Sequence, residues 1–457
     1  MNLLSRSLGL VVATGTLLGI PACQRDTTPA SATTQPVGPR KQLVILTPHS
    51  EDIRTTFAAG FARWYLAHRA APVYIEWIYR GTPQCVQYVR DLAANRGEGL
   101  TGPVPDLMFG GGISDHATLA SGGWSRPLPL PEDARIPPEV HGLPTRDPQH
   151  HWHATGLSSF GLVINERAAA ARGVAPPTTW ADLSDPRFYG WIAVADPRTS
   201  GSHRECLAII LQHHGWPEGW SLILRTLANT RALNNRSGEA LRQVESGVSL
   251  VTYAVNFDGQ ALAADSGGAL RYLDPPGATA VTPDVISVLK TTSDPELAAD
   301  FVRYLLSDEG QALWGVSREH RTAPGSTLYH YPIVPALYDS HAGRLAVTRN
   351  PFNEDFGVKI DLARAARHAA VLRVLVPAAA TGDNGLRLQL LWKRLIDAGL
   401  PAAPVATLTA PPLDEAGLAA LAEQVDSGTE AEEAALADWT ARFARLYADV
   451  ATALGPG

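Results

Sequence analysis

The sequence predicts an α/β fold built on a parallel sheet, and three observations predict it. Short apolar runs alternate with helical stripes along most of the chain. The first three runs each end in a loop of small or polar residues, which places those loops together at one edge of such a sheet. Further on, the apolar run Trp191–Ala195 leads into Asp196-Pro197-Arg198-Thr199-Ser200-Gly201-Ser202 and then an apolar helix beginning near His203. The first N–H groups of a helix lack an internal partner and carry partial positive charge. A Ser-Gly-Ser turn in front of them caps the helix and also lets a carboxylate, phosphate or phosphonate approach.

In order, Leu43–Leu46 is a strand and Thr47-Pro48-His49-Ser50-Glu51 its exit loop, followed by a helix with apolar positions at Ile53, Phe57, Phe61, Trp64 and Tyr65. Val73–Tyr79 is the second strand, Arg80-Gly81-Thr82-Pro83 its loop, and a helix follows from near Gln84. The third strand ends at Phe109 in Gly110-Gly111-Gly112. Leu157–Ile164, Val248–Tyr253 and Val285–Leu289 are further strands, and helices are expected from Trp216, from the Asn235–Glu239 segment and from Pro295. From about Asp361 the chain turns Ala-, Leu- and Arg-rich with helical periodicity, broken by a Pro-rich stretch from Pro401 to Pro412.

Composition narrows the function. The 457 residues are 45% hydrophobic and 18% charged, ample for a core. A net charge of −7 gives no basic footprint for nucleic acid. Near the start, Arg6 precedes an apolar run from Leu8 to Ile20 that is too short to span a bilayer comfortably. It ends in Ile20-Pro21-Ala22-Cys23, which resembles a bacterial lipoprotein signal in which Cys23 is lipidated; a plain secretory signal is the alternative. Residues 1–22 are then a signal peptide and 23–40 a flexible tether. Beyond Cys23 only Cys85 and Cys206 remain, and two buried unpaired thiols are favoured over a bridge. His150, His151 and His153 are read as a polar surface loop in preference to a metal site.

Six motifs in this order resemble the extracellular solute-binding proteins of ABC importers, in the type II periplasmic-binding fold. They are Leu43–Glu51, Pro105–Gly111, Thr179–Arg187, Asp196–Gly201, Arg236–Ala240 and Ala298–Gln311. The subgroup resembled includes ferric-iron, 2-aminoethylphosphonate, thiamine and sugar-phosphate binders. The resemblance implies two lobes joined by crossing strands, with lobe one at 41–155 and 284–340, hinge and lobe two at 156–283, and a helical extension at 341–457. It implies a small-molecule solute held in the cleft, a membrane permease as partner, a periplasmic or cell-surface location with a possible lipid anchor, and no cofactor or catalytic residue. Candidate contacts from lobe one are His49, Ser50, Glu51, Arg80, Gly81, Thr82, Gly110 and Gly111. From lobe two they are Ser200, Gly201, Ser202, Arg236, Ser237, Tyr253, Asn256 and Asp258. Ferric-binding relatives carry adjacent tyrosines where this chain reads Tyr253-Ala-Val-Asn-Phe257-Asp258, so a small anion is the leading expectation. An iron or metal importer using Glu51, Tyr253 and Asp258 remains an alternative. So do a ligand-sensing subunit of a signalling system and a thiaminase-like enzyme with Cys85 as nucleophile in a cleft loop.

Overall fold

The computed structural model describes residues 39–95, 102–131 and 135–455. The signal segment, Cys23 and nearly all of the tether lie outside the described residues. Lys41–Thr47 sits at the centre of a parallel group, with Val73–Tyr79 on one side and Leu107–Phe109 on the other. Val281–Val288 joins that group antiparallel and pairs in turn with His153–Asn165. The far half of His153–Asn165 pairs with Val251–Val255, which begins a second parallel group containing Ile192–Ala195 and Thr230–Asn234. One ten-stranded sheet therefore runs through both lobes.

All thirteen residues of His153–Asn165 are buried. A strand covered on both faces reads as a continuous run and not as an alternation, and here polar ends conceal its length. His153 Nε2 lies 2.8 Å from the Leu128 carbonyl oxygen, and the Asn165 carboxamide oxygen accepts the Ala168 N–H at 2.8 Å, starting the next helix. The second crossing strand likewise begins four residues before the expected Val285, because Thr282, Pro283 and Asp284 interrupt its apolar pattern. Its register shifts between Asp284 and Val285.

The C-terminal part is helical: Leu362–Ala380, Gly382–Asp397, Ala402–Thr409, Glu415–Asp426 and Thr429–Ala453. The Pro-rich stretch is not simply a break, since Pro401 leads directly into a short helix. The first helix buries Val371, Leu372, Val374 and Leu375. Aromatic donors fasten this extension to lobe two. The Trp216 indole N–H donates to the Leu413 carbonyl at 2.6 Å, Trp392 to Asn229 Oδ1 at 2.8 Å, and the Tyr189 hydroxyl to the Gln389 carbonyl at 3.2 Å. Among the described residues no helix is long and apolar enough to cross a membrane.

Cys85 and Cys206 are free and buried. Cys85 does not face a cleft. It packs with Leu46, Ile78, Val86, Val89 and Met108, and burial pushes its thiol well above the usual range, which works against the thiolate a nucleophile needs. The histidine segment is only partly a surface loop: His150 and His151 are half-buried in a turn, and His153 lies in the first crossing strand. His153 is buried, His151 Nδ1 lies 2.9 Å from Ser125 Oγ, and the His150 and His153 rings stack at 5.9 Å.

Candidate functional site

A cavity of about 1140 Å³, its open mouth included, is lined from both lobes. Five helices begin on its wall: Thr82–Asn95, Ile113–Ser121, Gly201–His214, Ser237–Glu245 and Asn256–Asp265. In each case a strand ends at the sheet edge and the chain turns into a helix there, so the unpaired N–H groups gather around one volume. Ser200 does two things at once. Its hydroxyl accepts the His203 N–H at 3.3 Å as a helix cap, and it also lines the cavity 3.4 Å from Ser202 Oγ.

Of the expected residues, His49, Gly81, Thr82, Gly111, Ser200, Gly201, Ser202, Arg236, Ser237 and Asp258 line the cavity. The others do not, for identifiable reasons. Ser50 holds the N-cap position of Glu51–Arg69 without a side-chain cap bond, and Glu51 points to solvent. Arg80 is exposed and donates to the Tyr79 carbonyl at 2.8 Å. Gly110 lies behind His49, where a Cβ would stand 2.6 Å from the imidazole. Tyr253 is buried against Trp180 and His203. Asn256 is spent on the frame: its Oδ1 accepts the Ser159 N–H at 3.0 Å and its Nδ2 donates to the Tyr329 carbonyl at 3.0 Å. Glu51, Tyr253 and Asp258 are thus not brought together. Among the described residues no group of three or more His, Cys, Asp or Glu could hold a metal ion.

The cavity also holds charged residues that the motifs did not point to. Asp284 is buried, with Oδ2 2.9 Å from His49 Nε2 and 3.1 Å from His330 Nε2, while its Oδ1 accepts the Gly111 N–H at 2.9 Å. Burial opposes its charge, yet the two imidazoles hold the carboxyl below the ordinary range. Arg204, on the helix after the Ser-Gly-Ser turn, reaches across to Asp115 of lobe one, with Nη2 at 2.8 and 2.9 Å from the two carboxylate oxygens; both side chains are buried. Burial, with Asp115 nearby, pushes the Glu205 carboxyl up to about 7 against the pull of Arg204. Burial likewise raises Asp258 to about 6, with His49 opposing. Glu205 is therefore partly neutral near pH 7 while Asp258 stays mostly ionised, so the first opposes an anion less than a full carboxylate would.

The lobes touch along a tight seam. A Cβ on Gly81 would fall 1.9 Å from the Thr199 carbonyl oxygen, and one on Gly201 would fall 2.7 Å from Thr82 Oγ1. Only glycine permits this approach. Tyr79 of lobe one has the Arg236 guanidinium of lobe two 5.1 Å from its ring centroid, and Arg54 at 4.9 Å. Two-lobed folds of this build take solutes in the crevice at the strand ends.

Residues 104–325 match the family model described as bacterial extracellular solute-binding protein. That match covers just under half of the chain. The phosphoglycerate transport regulatory protein PgtC of Salmonella typhimurium is 29% identical over 187 residues, 41% of this chain and 44% of that protein. An uncharacterized Haemophilus influenzae protein is 26% identical over 212 residues, 46% of this chain and 61% of that protein. The matched stretch thus spans less than two thirds of the curated relatives. The periplasmic binding protein AfuA of Actinobacillus pleuropneumoniae, solved with fructose-6-phosphate, superposes with a TM-score of 0.58 at 18% identity, covering 80% of this chain and 100% of that one. Iron-bound HitA of Pseudomonas aeruginosa superposes at 0.54 and 20% identity, covering 73% of this chain and 98% of that one. These structures share the two-lobed fold.

Proposed function

We propose that this chain captures a small anionic solute (a phosphonate, a phosphorylated compound or a carboxylate) between its lobes for an ABC importer. The observation that carries the reading is the meeting of five helix N-termini with Arg236 in one cavity. Each terminus favours an anion by about 0.3–1 kcal/mol, more where partly buried. A guanidinium adds bidentate hydrogen bonds suited to phosphonate or carboxylate oxygens. Asp115 and Asp284 are already matched by Arg204 and by the His49–His330 pair, so they oppose the anion less than their number suggests. A relative named for phosphoglycerate and a fold neighbour solved with a sugar phosphate agree with a phosphorylated solute.

Calorimetric titration with a panel of phosphonates, sugar phosphates, phosphoglycerate and carboxylates tests the reading. Saturable binding of at least one member is expected; silence across the panel with tight Fe(III) binding overturns it in favour of the metal alternative. Export and anchoring through Cys23 belong to the same proposal, and the Cys23→Ala chain should leave the membrane fraction. A sensing role is the second reading, favoured by the regulatory name of the Salmonella relative and by the extension on lobe two. Deleting the gene should abolish solute uptake if the partner is a permease, and silence a solute-responsive reporter with uptake intact if it is a sensor.

A further inference from the structure

The two lobes do not make the cavity wall alone. Ile360, Leu362 and Ala365, from the C-terminal part of the chain, line it as well. Their place is fixed by a reciprocal pair of hydrogen bonds on lobe two: the Asp361 N–H donates to Gln212 Oε1 at 2.9 Å, and Gln212 Nε2 donates to the Asp361 carbonyl at 3.1 Å. Gln212 lies two turns beyond Glu205 on the same helix face, so the pair seats this segment beside the Glu205 side of the cavity. Just upstream, the Val358 N–H donates to the Thr279 carbonyl at 2.9 Å and the Thr279 N–H to the Phe356 carbonyl at 3.1 Å, which ties the segment to the entry of the second crossing strand. Leu143 lines the cavity from a lobe-one hairpin in which Glu139–Val140 pairs with Leu143–Pro144, and His141 Nε2 in its turn lies 2.6 Å from the Pro351 carbonyl oxygen. Leu362 is 36% exposed, an apolar side chain held at the wall and open to solvent.

We propose that the solute carries an apolar substituent, a short aliphatic chain or a ring, next to its anionic group, and that Ile360, Leu362 and Ala365 receive it. The charge complement comes from the helix starts and Arg236, and the extension adds a surface that a bare oxyanion would leave in water. This assignment rests on the anion reading and narrows it to substituted anions.

The test is calorimetric titration of the full chain with methylphosphonate, propylphosphonate and phenylphosphonate, repeated on Leu362→Asp and Ala365→Phe. Affinity should rise about fourfold per buried methylene in the parent chain. The propyl-to-methyl affinity ratio should fall toward one in both variants, one by placing charge on the wall and the other by filling it. Thermal melting monitors folding, and either variant suffices if the other fails to fold. Equal affinity for all three phosphonates overturns the inference while leaving anion capture standing. An undiminished ratio in the folded variants overturns the assignment to the extension. Failure of these three and of the wider anion panel overturns both readings together.

Discussion

The two walls of the cavity are built from the same parts, strand ends and helix starts, but they use their polar groups differently. On lobe one the charged groups are satisfied by the protein itself: Asp284 by His49, His330 and Gly111, and Asp115 by Arg204. On lobe two Ser202, Arg236 and Ser237 face the cavity from two helix starts, and Arg236 lies over the Tyr79 ring across the seam. Buried polar groups are costly unless fully partnered, so the first wall is a frame whose loss unfolds the region. The second wall keeps donors to offer. A residue's presence at a cavity thus does not tell its job; its prior partners do.

Substitutions that separate stability from binding can break this contrast. Asp284→Ala removes the carboxylate that the buried His49 and His330 share and should cost about 3–5 kcal/mol in urea unfolding; a loss below about 1 kcal/mol would remove the distinction between the walls. Gly81→Val should obstruct the seam at Thr199, weaken solute binding about 100-fold, or about 2.7 kcal/mol, and enlarge the molecule in solution scattering. Unchanged affinity would mean that the seam plays no part in capture.

The raised acids give a pH test. Glu205 and Asp258 titrate higher when folded, so the stability they confer is full below pH 4 and is lost as pH rises through about 6 and 7. Together they should remove on the order of 5 kcal/mol between pH 4.5 and 8, and Glu205→Gln should flatten the upper part of that slope in melts across pH. Arg236→Gln comes next, with a loss of about 2 kcal/mol in anion binding and an unchanged melting temperature; an equal fall in both would make it a frame residue. Ser202→Ala sharpens the same contrast with the smallest effect, about 1 kcal/mol in binding.

Much of the fold was legible because its signals are local. Strand and helix alternate over short windows, and the Ser-Gly-Ser turn announces a helix start wherever it occurs. The site was legible where the same local signal served it, at Thr82, at Ser200 to Ser202 and at Ser237. It was not legible where the deciding partner is remote. Asp284 finds His49 across 235 positions and Arg204 finds Asp115 across 89, and nothing near either residue points to the other. Arg80 misled for the converse reason: its place after a strand suggested the cleft, while its side chain turns back onto the Tyr79 carbonyl. Arg204 and Glu205 are hidden in a helix that otherwise reads as core, and the part played by residues 360–365 lies outside every motif.

The reciprocal Gln212–Asp361 pair has a consequence in time. It joins the third wall of the cavity to the helix that carries Ser202, so these surfaces travel as one body. A solute held as proposed would then shed its lobe-one neighbours first and stay aboard lobe two until the last step. On the proposed reading, departure would be sequential, with its last contacts on the Gly201–His214 helix and the segment strapped to it.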